Sequence, residues 1–222
     1  LSARLGVSGA YVTLEHGRPT GPVTLSGSPE APRVHPDSIF QAASLTKQGI
    51  AYAALKYVLA GRLDLQAPVS RYLPNGYRHR RNPFGGPEDR RSDLVAPETL
   101  ARIPVATLLN HSSGLPNWTR GPLTPGFEPG THWQYSGEGY FLLQAILSAV
   151  TGDDIETLLV RDVFGPLGMN DSRMRLTDDI RTRVITGTTR FGRPRHFEFR
   201  EPNAATSLYT TAPDYARLLA AW

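Results

Sequence analysis

The sequence predicts an α+β fold in which two opening strands precede a longer region of helices and loops. Residues 10–15 alternate along the chain, and a His-Gly turn signal separates them from a second strand-like run at 22–25. From residue 44 onward, apolar side chains recur mainly at helical spacing. The chain has 222 residues, of which 40% are hydrophobic and 20% charged, a composition typical of one globular domain.

A connector, a long helix and an irregular segment are predicted to follow the two strands. Three prolines mark residues 29–36 as the connector, and a helix is predicted from Ser44 until Gly61 ends it. Residues 74–97 are predicted to be irregular, and loops of that length in a compact domain are usually functional or mobile. Pro104 suits the first position of a further helix that runs to Leu109.

Three more helices are predicted in the second half of the chain. Residues 140–147 form an almost continuous apolar run, as in a buried helix. Asp153 with Glu156 makes a start similar to a capping box, and Thr211 with Asp214 does the same for a last helix. The apolar residues of this last helix, at 215, 218, 219 and 222, follow helical spacing.

Composition excludes several classes of protein. The chain has no cysteine, so it has no disulfide, thiolate metal site or cysteine nucleophile, although this leaves the compartment open. No apolar run approaches the ~18 residues of a transmembrane helix, so no membrane span is predicted. The first residues show no signal pattern, which a mature secreted protein would have lost.

The net charge of +4 raises the question of a nucleic-acid partner. Five arginines lie in the 74–97 segment: Arg78, Arg80, Arg81, Arg90 and Arg91. That segment is rich in Gly, Pro and Asn, has few aromatic residues for stacking and contains no known binding motif. Arginine is also spread along the whole chain, so we expect a solvated loop and no nucleic-acid partner.

The most informative motif is Ser-Leu-Thr-Lys at residues 44–47. Ser44 and Lys47, three residues apart at a helix start, lie on one face, where the amine can take the hydroxyl proton. Free backbone N–H groups and the helix dipole favour negative charge that develops there. Because a serine hydroxyl is a weak nucleophile without an adjacent base, this pairing predicts a nucleophile and its base.

The alternative is a helix that happens to begin with serine and to carry a surface lysine. Against it, Lys47 and Lys56 are the only lysines among the 24 basic residues of the chain. Lysine can lose its proton near neutral pH, whereas arginine cannot. The tetrapeptide would still arise by chance roughly one time in ten, so it needs support from its surroundings.

Five further segments give that support, and together with the Ser44–Lys47 motif they cover nearly the whole chain. In their order and spacing the chain resembles the serine β-lactamase and penicillin-binding protein superfamily, on the side of class C β-lactamases, DD-peptidases and related esterases. The segments are Leu-Leu-Asn-His-Ser-Ser-Gly-Leu-Pro at 108–116, Phe-Glu-Pro-Gly at 127–130, Tyr-Ser-Gly at 135–137, Phe-Gly-Pro-Leu-Gly-Met at 164–169 and Ser-Leu-Tyr-Thr-Thr-Ala at 207–212.

The resemblance implies α/β/α layers, with an antiparallel sheet flanked by a mostly helical region, in a single catalytic domain over residues 1–222. Residues 1–40 would supply sheet strands and the connector, and residues 41–222 the helical region with the catalytic motifs. It also implies a small-molecule acyl substrate (an ester, a β-lactam or a D-amino-acid peptide) and neither cofactor nor metal. The location would be periplasmic or secreted if a signal peptide has been removed.

The resemblance assigns Tyr135 to the site beside the serine and the lysine, where it relays a proton to or from the leaving group. A phenol can do this when a cation such as Lys47 pulls its pKa down from about 10. On its own, Tyr135 would be read as one of nine tyrosines packed in the fold. Many family members have asparagine where this chain has Gly137. Because that asparagine contacts a substrate amide, we expect turnover of β-lactams or peptides to suffer more than ester hydrolysis.

The family's third motif, Lys/His-Thr/Ser-Gly or a Trp-Gly variant that supplies an oxyanion-hole N–H, has no suitable counterpart in residues 1–222. In relatives it follows the position of Trp222. We therefore expect a portion of a longer enzyme that lacks C-terminal strands, with its sheet completed by a further segment or a second chain. Ser44, Lys47 and Tyr135 should converge at a site with one open wall, and strand 10–15 should leave an edge unpaired or pair with another chain.

Other catalytic designs find no support in the sequence. It contains no Gly-x-Ser-x-Gly elbow, no His-Glu-x-x-His cluster among its six histidines and no glycine-rich nucleotide loop. His111, the histidine nearest to a motif, is better explained by hydrogen bonds that pin the turn at 110–116. Two classes remain: a cofactor-free serine hydrolase that forms an acyl-enzyme on Ser44, and a non-catalytic binding or regulatory relative with the same fold.

Overall fold

The computed structural model describes residues 6–27, 32–85, 89, 91–188, 193–195, 197–199 and 201–222. The chain forms two compact units. The first consists of Leu1–Leu45, Leu159–Pro202 and Ser207–Trp222, and the second of Thr46–Leu158 and Asn203–Thr206. Each combines short antiparallel strands with helices. The single catalytic domain expected over residues 1–222 stays a prediction.

The strands are short and the helices vary in length. The strands are β1 (Gly9–Tyr11), β2 (Leu14–Glu15), β3 (Arg18–Pro19), β4 (Val23–Leu25), β5 (Phe40–Ala43), β6 (Tyr77–Arg80), β7 (Ser92–Val95), β8 (Gly187–Thr188), β9 (Pro194–Arg195) and β10 (Leu208–Thr210). The helices are α1 (Thr46–Leu59), α2 (Pro97–Leu100), α3 (Val105–Leu109), α4 (Gly137–Thr151), α5 (Ile155–Leu159), α6 (Asp178–Arg181) and α7 (Ala212–Ala220). A 3-10 turn spans Val69–Arg71 and a π-helical turn spans Val160–Phe164.

In the first unit, the opening strands form antiparallel pairs: β1 with β4, and β2 with β3 between them. The strand predicted over residues 10–15 is therefore interrupted at residues 12–13. Tyr11 pairs with Val23 and Leu14 pairs with Pro19, so the two residues 12–13 lie opposite the three residues 20–22. This extra residue makes a β-bulge. One of the three is Pro22, which has no N–H to donate to the ladder. Among the residues that the structure describes, these strands pair only in twos.

Strand β5 leads directly to Ser44, and β5 and the residue before it are paired with other segments of the chain. It pairs antiparallel with β10, with a register shift beside Tyr209. Just before β5, Ile39 forms a parallel bridge with Val184. Ile39, Ile180 and Tyr209 are fully buried together. The strand that leads to Ser44 is therefore anchored in the core of the first unit at Ile39, whereas its own residues are half-buried or exposed.

Helix α7 begins as predicted, because the Thr211 side chain accepts the N–H of Asp214 at 3.1 Å. The helix packs against β1 and β3. Leu218 is buried, whereas Leu219 and Trp222 are 41% and 57% exposed. The apolar stripe expected from the sequence is therefore only partly buried.

Helices α1 and α4 supply much of the core of the second unit. The helix predicted at 140–147 is confirmed and is longer, and it ends at Gly152, whose φ of 80° is a left-handed cap that favours glycine. The largest buried apolar residues of the two helices are Ile50, Tyr57, Tyr140, Leu142, Leu143, Ile146 and Leu147. They recur at three- and four-residue spacing, which places one face of each helix inside.

The prediction of an irregular segment over residues 74–97 is wrong, because β6 and β7 form an antiparallel hairpin there. Its sequence is dominated by polar and charged residues, so propensity alone did not indicate strands. Several of its arginines are paired: Arg81 donates two hydrogen bonds to Asp93, at 2.7 and 2.8 Å, and Arg91 donates two to Asp89. Arg90 lies outside the described residues, as do residues 28–31 of the proline-rich connector.

Two predicted helix starts differ from the structure by one residue. Pro104 is the N-cap of α3, with φ −66° and ψ 143°, and does not occupy the first helical position. At α5, Asp154 takes the capping role that the sequence assigned to Asp153: its Oδ1 accepts the N–H groups of Glu156 and Thr157, at 2.9 and 3.0 Å. Both differences are of one residue, which is ordinary variation at the end of a helix.

Candidate active site

Ser44 lies in a turn between strand β5 and helix α1. The helix begins at Thr46, so Ser44 precedes its first turn by two residues and does not open it as predicted. The N–H of Leu45 donates to the oxygen of Ala42 at 3.0 Å and closes the turn. Ala43 has a φ of 46°, a conformation that is uncommon outside glycine. Backbone strain of this kind is frequent at functional positions.

Lys47 is in the first turn of helix α1 and is only 5% exposed. Its Nζ donates a hydrogen bond to the backbone oxygen of Ala205 at 2.7 Å. Burial lowers the pKa of the Lys47 ammonium, and a hydrogen bond with the Tyr135 side chain acts in the opposite direction. The amine is therefore closer than an exposed lysine to the neutral form that a general base requires.

Tyr135 lies against Lys47, in the loop before helix α4. The Lys47 Nζ is 4.9 Å from the centroid of the Tyr135 ring and 5.5 Å from that of Tyr140. The hydroxyl of Tyr140 donates to the oxygen of Leu109 at 3.3 Å, and burial raises the pKa of Tyr140 to about 12. The hydroxyl of Tyr140 is thus bound to a backbone oxygen, whereas Tyr135 has the ring that lies nearer to the Lys47 amine and is the better candidate for a proton relay.

His111 holds the loop that carries Tyr135. Its Nδ1 accepts the N–H of Ser136 at 3.1 Å, and its backbone oxygen accepts the N–H of Gln134 at 2.8 Å. Its ring lies against those of Tyr135 and Tyr140, with centroid distances of 4.5 and 5.4 Å. His111 thus fixes the residues on both sides of Tyr135.

The protonation of His111 agrees with this role. Burial, followed by the charge of Lys47, lowers the pKa of the imidazole, and the neutral ring can accept a hydrogen bond at Nδ1. The sequence interpretation gave His111 a structural role, in hydrogen bonds that pin the turn at 110–116; its hydrogen bonds do have a structural role, but they join that turn to the loop at 134–136. That turn is closed by Asn110, whose Oδ1 accepts from the N–H and the hydroxyl of Ser112, at 3.1 and 2.6 Å.

Two residues that sequence reasoning missed hold the carbonyl that Lys47 contacts. Asn203 accepts the N–H groups of Ala205 and Thr206 at its Oδ1, at 3.1 and 2.9 Å. Gln144 of helix α4 accepts a backbone N–H from the same turn at 2.8 Å. The proline followed by asparagine that opens this turn is a recognisable turn signal.

A buried acid–imidazole pair joins strand β6 to helix α4, next to Gly137. His79 and Glu138 are each 1% exposed, and His79 Nε2 is 3.4 Å from Glu138 Oε2. Burial raises the pKa of Glu138 to about 7 and lowers that of His79. Both pKa shifts favour the neutral forms of Glu138 and His79, because a charged form is poorly solvated in this buried place.

The part of the chain that the structure describes has neither a metal-binding cluster nor a membrane-spanning helix. In those residues no group of three His, Cys, Asp or Glu side chains is arranged to hold a metal ion. None of the described helices has the length and apolar character needed to cross a bilayer.

Comparison with known proteins identifies the family. The Beta-lactamase family model matches residues 4–222, so the chain belongs to the Beta-lactamase family. The chain is 27% identical to Esterase EstB of Burkholderia gladioli over 241 aligned residues, which cover 83% of this chain and 57% of the esterase. It is also 27% identical to Penicillin-binding protein 4* of Bacillus subtilis (strain 168) over 161 residues, which cover 62% of this chain and 31% of that protein.

Solved structures show the same fold. A class C β-lactamase superposes with a TM-score of 0.75 at 22% identity, covering 96% of this chain and 58% of that one. EstCE1, a hydrolase with promiscuous acyltransferase activity, superposes with a TM-score of 0.71 at 20% identity, covering 98% of this chain and 67% of that one. These matches confirm the predicted β-lactamase-like α+β fold. The chain spans about half the length of the curated relatives it matches, or less.

Proposed function

We propose that the protein is a serine hydrolase that cleaves esters through an acyl-enzyme on Ser44. The observation that carries this proposal is the buried Lys47 amine, 4.9 Å from the Tyr135 ring centroid and three residues after Ser44 in the chain. A desolvated lysine beside a phenol is suited to accept and relay a proton. The similarity to an esterase and a penicillin-binding protein supports hydrolysis as the reaction class.

The reaction proceeds in two steps. The Ser44 oxygen attacks the ester carbonyl while its proton passes to the Lys47 amine, directly or through the Tyr135 hydroxyl. The oxyanion accepts hydrogen bonds from backbone N–H groups, and one of these is the N–H of Ser44. The carbon–oxygen bond to the alcohol then breaks, and Tyr135 delivers the proton to the departing oxygen. Water attacks the acyl-Ser44 ester in the second step, which releases the carboxylic acid and restores the serine hydroxyl.

An ester is favoured over a β-lactam or a D-amino-acid peptide because of Gly137. Glycine at this position provides no side-chain group to bind a substrate amide. Amide substrates depend on such a contact for orientation, whereas an ester has no N–H to satisfy. We therefore expect acylation by activated esters to be faster than acylation by a penicillin.

The test is the intact mass of the natural full-length protein after incubation with a fluorophosphonate, a penicillin and an activated ester. We expect a covalent adduct on Ser44, and Ser44→Ala should abolish it without a change in far-UV circular dichroism. Ser26→Ala, which removes an exposed serine, serves as the control and should label normally. An adduct mapped to another serine would overturn the assignment of Ser44. Absence of any adduct would favour the non-catalytic binding protein.

A further inference from the structure

The space that a side chain at position 137 would need is filled by Trp118. A Cβ built on Gly137 would lie 2.4 Å from the Cη2 and Cζ3 atoms of the Trp118 ring and 2.7 Å from the backbone oxygen of Asn117. Contacts this short do not occur for real Cβ atoms, so the ring and a side chain at 137 exclude each other. Gly137 is thus required by the close approach of the indole.

The segment that carries Trp118 is fixed along the turn that follows Tyr135. The Ser136 hydroxyl donates to the oxygen of Pro116 at 3.0 Å. The N–H groups of Gly137 and Glu138 donate to Asn117, at its Oδ1 (3.0 Å) and its backbone oxygen (3.2 Å). The N–H of Thr119 donates to Glu138 Oε1 at 3.2 Å. These bonds on both sides of Trp118 hold its ring against Gly137, which follows Tyr135 by two positions in the chain.

The Trp118 ring packs against two other aromatic rings and remains partly exposed to solvent. Its centroid lies 4.8 Å from that of Phe84, in an edge-to-face arrangement, and 5.9 Å from that of Phe141. Despite these contacts, 38% of Trp118 is exposed. If the indole served only the core, its large apolar surface would be expected to be covered further. A partly exposed aromatic ring that its neighbours hold in place is well suited to form a ligand-binding wall.

We propose that Trp118 determines the substrate specificity of this site, and this inference rests on the proposed ester hydrolysis. The indole fills the space that a side chain at position 137 would occupy, and it presents a flat apolar surface there. It favours esters whose acyl group carries an aromatic ring, because such a ring can pack against the indole. It also prevents a carboxamide from being placed at position 137.

The experiment compares kcat/KM for p-nitrophenyl phenylacetate and p-nitrophenyl acetate in the full-length protein. The leaving group is shared, so the ratio of the two values reports on acyl recognition. Trp118→Ala should lower this ratio by about fivefold to tenfold, mainly through KM for the phenylacetyl ester. Trp118→Phe keeps an aromatic wall and should retain most of the preference. The control Trp222→Ala removes an exposed indole from the end of helix α7 and should leave the ratio unchanged.

A second measurement tests the steric argument independently of activity. Gly137→Ala should lower the thermal midpoint because its methyl group collides with the ring and with the Asn117 backbone oxygen, and Trp118→Ala in the same chain should recover the part of that loss that is due to the ring. Strictly additive effects of the two substitutions would overturn the mutual exclusion. An unchanged acyl ratio in both Trp118 variants, with Ser44→Ala inactive, would overturn only the specificity role. Hydrolysis that survives Ser44→Ala would instead overturn the proposed function.

Discussion

The two lysines of this chain lie on the same helix in contrasting environments. Lys56 is exposed, whereas Lys47 is buried and contacts the oxygen of Ala205 and the ring of Tyr135. Taking an ammonium group out of water costs free energy and lowers its pKa, unless its partners compensate. Because burial disfavours the ammonium form of Lys47, this environment suits a lysine that accepts a proton during the reaction.

At the residue scale, we predict that Lys47→Arg is as damaging as Lys47→Ala. Arginine keeps the positive charge but cannot accept a proton near neutral pH, so acylation should fall by well over tenfold in both variants. The measurement is the acylation rate with an activated ester, under single-turnover conditions. Lys56→Arg is the matched control and should acylate at the wild-type rate.

The same experiment has a clear contrary outcome. If Lys47→Arg kept more than about a tenth of the wild-type rate, a loss of under ~1.4 kcal/mol in transition-state stabilisation, Lys47 would be acting as a fixed charge. The pH profile adds a second criterion. Because burial lowers the pKa of Lys47, the wild-type rate should rise with pH and level off below pH 10.5, the ordinary value for lysine.

At the scale of elements, hairpin β6–β7 is linked to the first turn of helix α4 through the buried His79–Glu138 pair. Asp93 of β7 faces the other ring nitrogen of His79, at 4.0 Å from Nδ1, and Arg81 pairs with Asp93. Glu138 also accepts the N–H of Thr119. The pair thus forms a buried contact between the hairpin and the helix that follows Tyr135, and its ionisation should be visible in stability.

We predict that wild-type stability falls between pH 5 and pH 7.5 and that Glu138→Gln reduces this fall. Burial raises the Glu138 pKa from 4.5 to about 7, so in this window the folded state binds more protons than the unfolded state. Stability from this group is therefore full below pH 4.5 and lost as the pH rises through about 7. The loss that the variant avoids is at most about 3 kcal/mol.

The measurement is urea unfolding at several pH values, with Glu98→Gln as the control at an exposed glutamate. His79 acts in the opposite direction. Its pKa is lowered, so its contribution to stability falls as the pH drops below 6.5. Glu138→Gln should therefore show stability that is flat or rising with pH. A decline as steep as in the wild type would mean that Glu138 is ionised throughout.

At the scale of the whole molecule, the chain covers 57% of the esterase and 58% of a class C β-lactamase. Residues 1–222 contain no counterpart of the family's third motif. We predict that a protein extended by a segment with the family's third motif hydrolyses activated esters at least about 10²-fold faster than residues 1–222 alone, because that motif supplies an oxyanion-hole N–H donor. The measurement is kcat/KM for both proteins under identical conditions. Equal values would show that these residues contain the whole catalytic apparatus.

Several features of this protein could be read from the sequence because their causes are local. The start of α7 is predicted by Thr211 and Asp214, whose cap involves residues three apart. The end of α1 and the burial of α4 follow from a glycine and from apolar periodicity. The Ser44–Lys47 spacing is likewise local. The composition adds that Lys47 is one of only two lysines in a chain whose other basic residues are arginines.

Tertiary structure decided what depends on residues far apart in the chain. The burial of Lys47 depends on Tyr135 and Ala205, and the role of His111 depends on the loop at 134–136. Hairpin β6–β7 forms from a polar sequence because cross-strand pairs and one buried face outweigh its weak strand propensity. The reason for glycine at 137 is the Trp118 ring, nineteen positions earlier, because close packing excludes two groups from the same space.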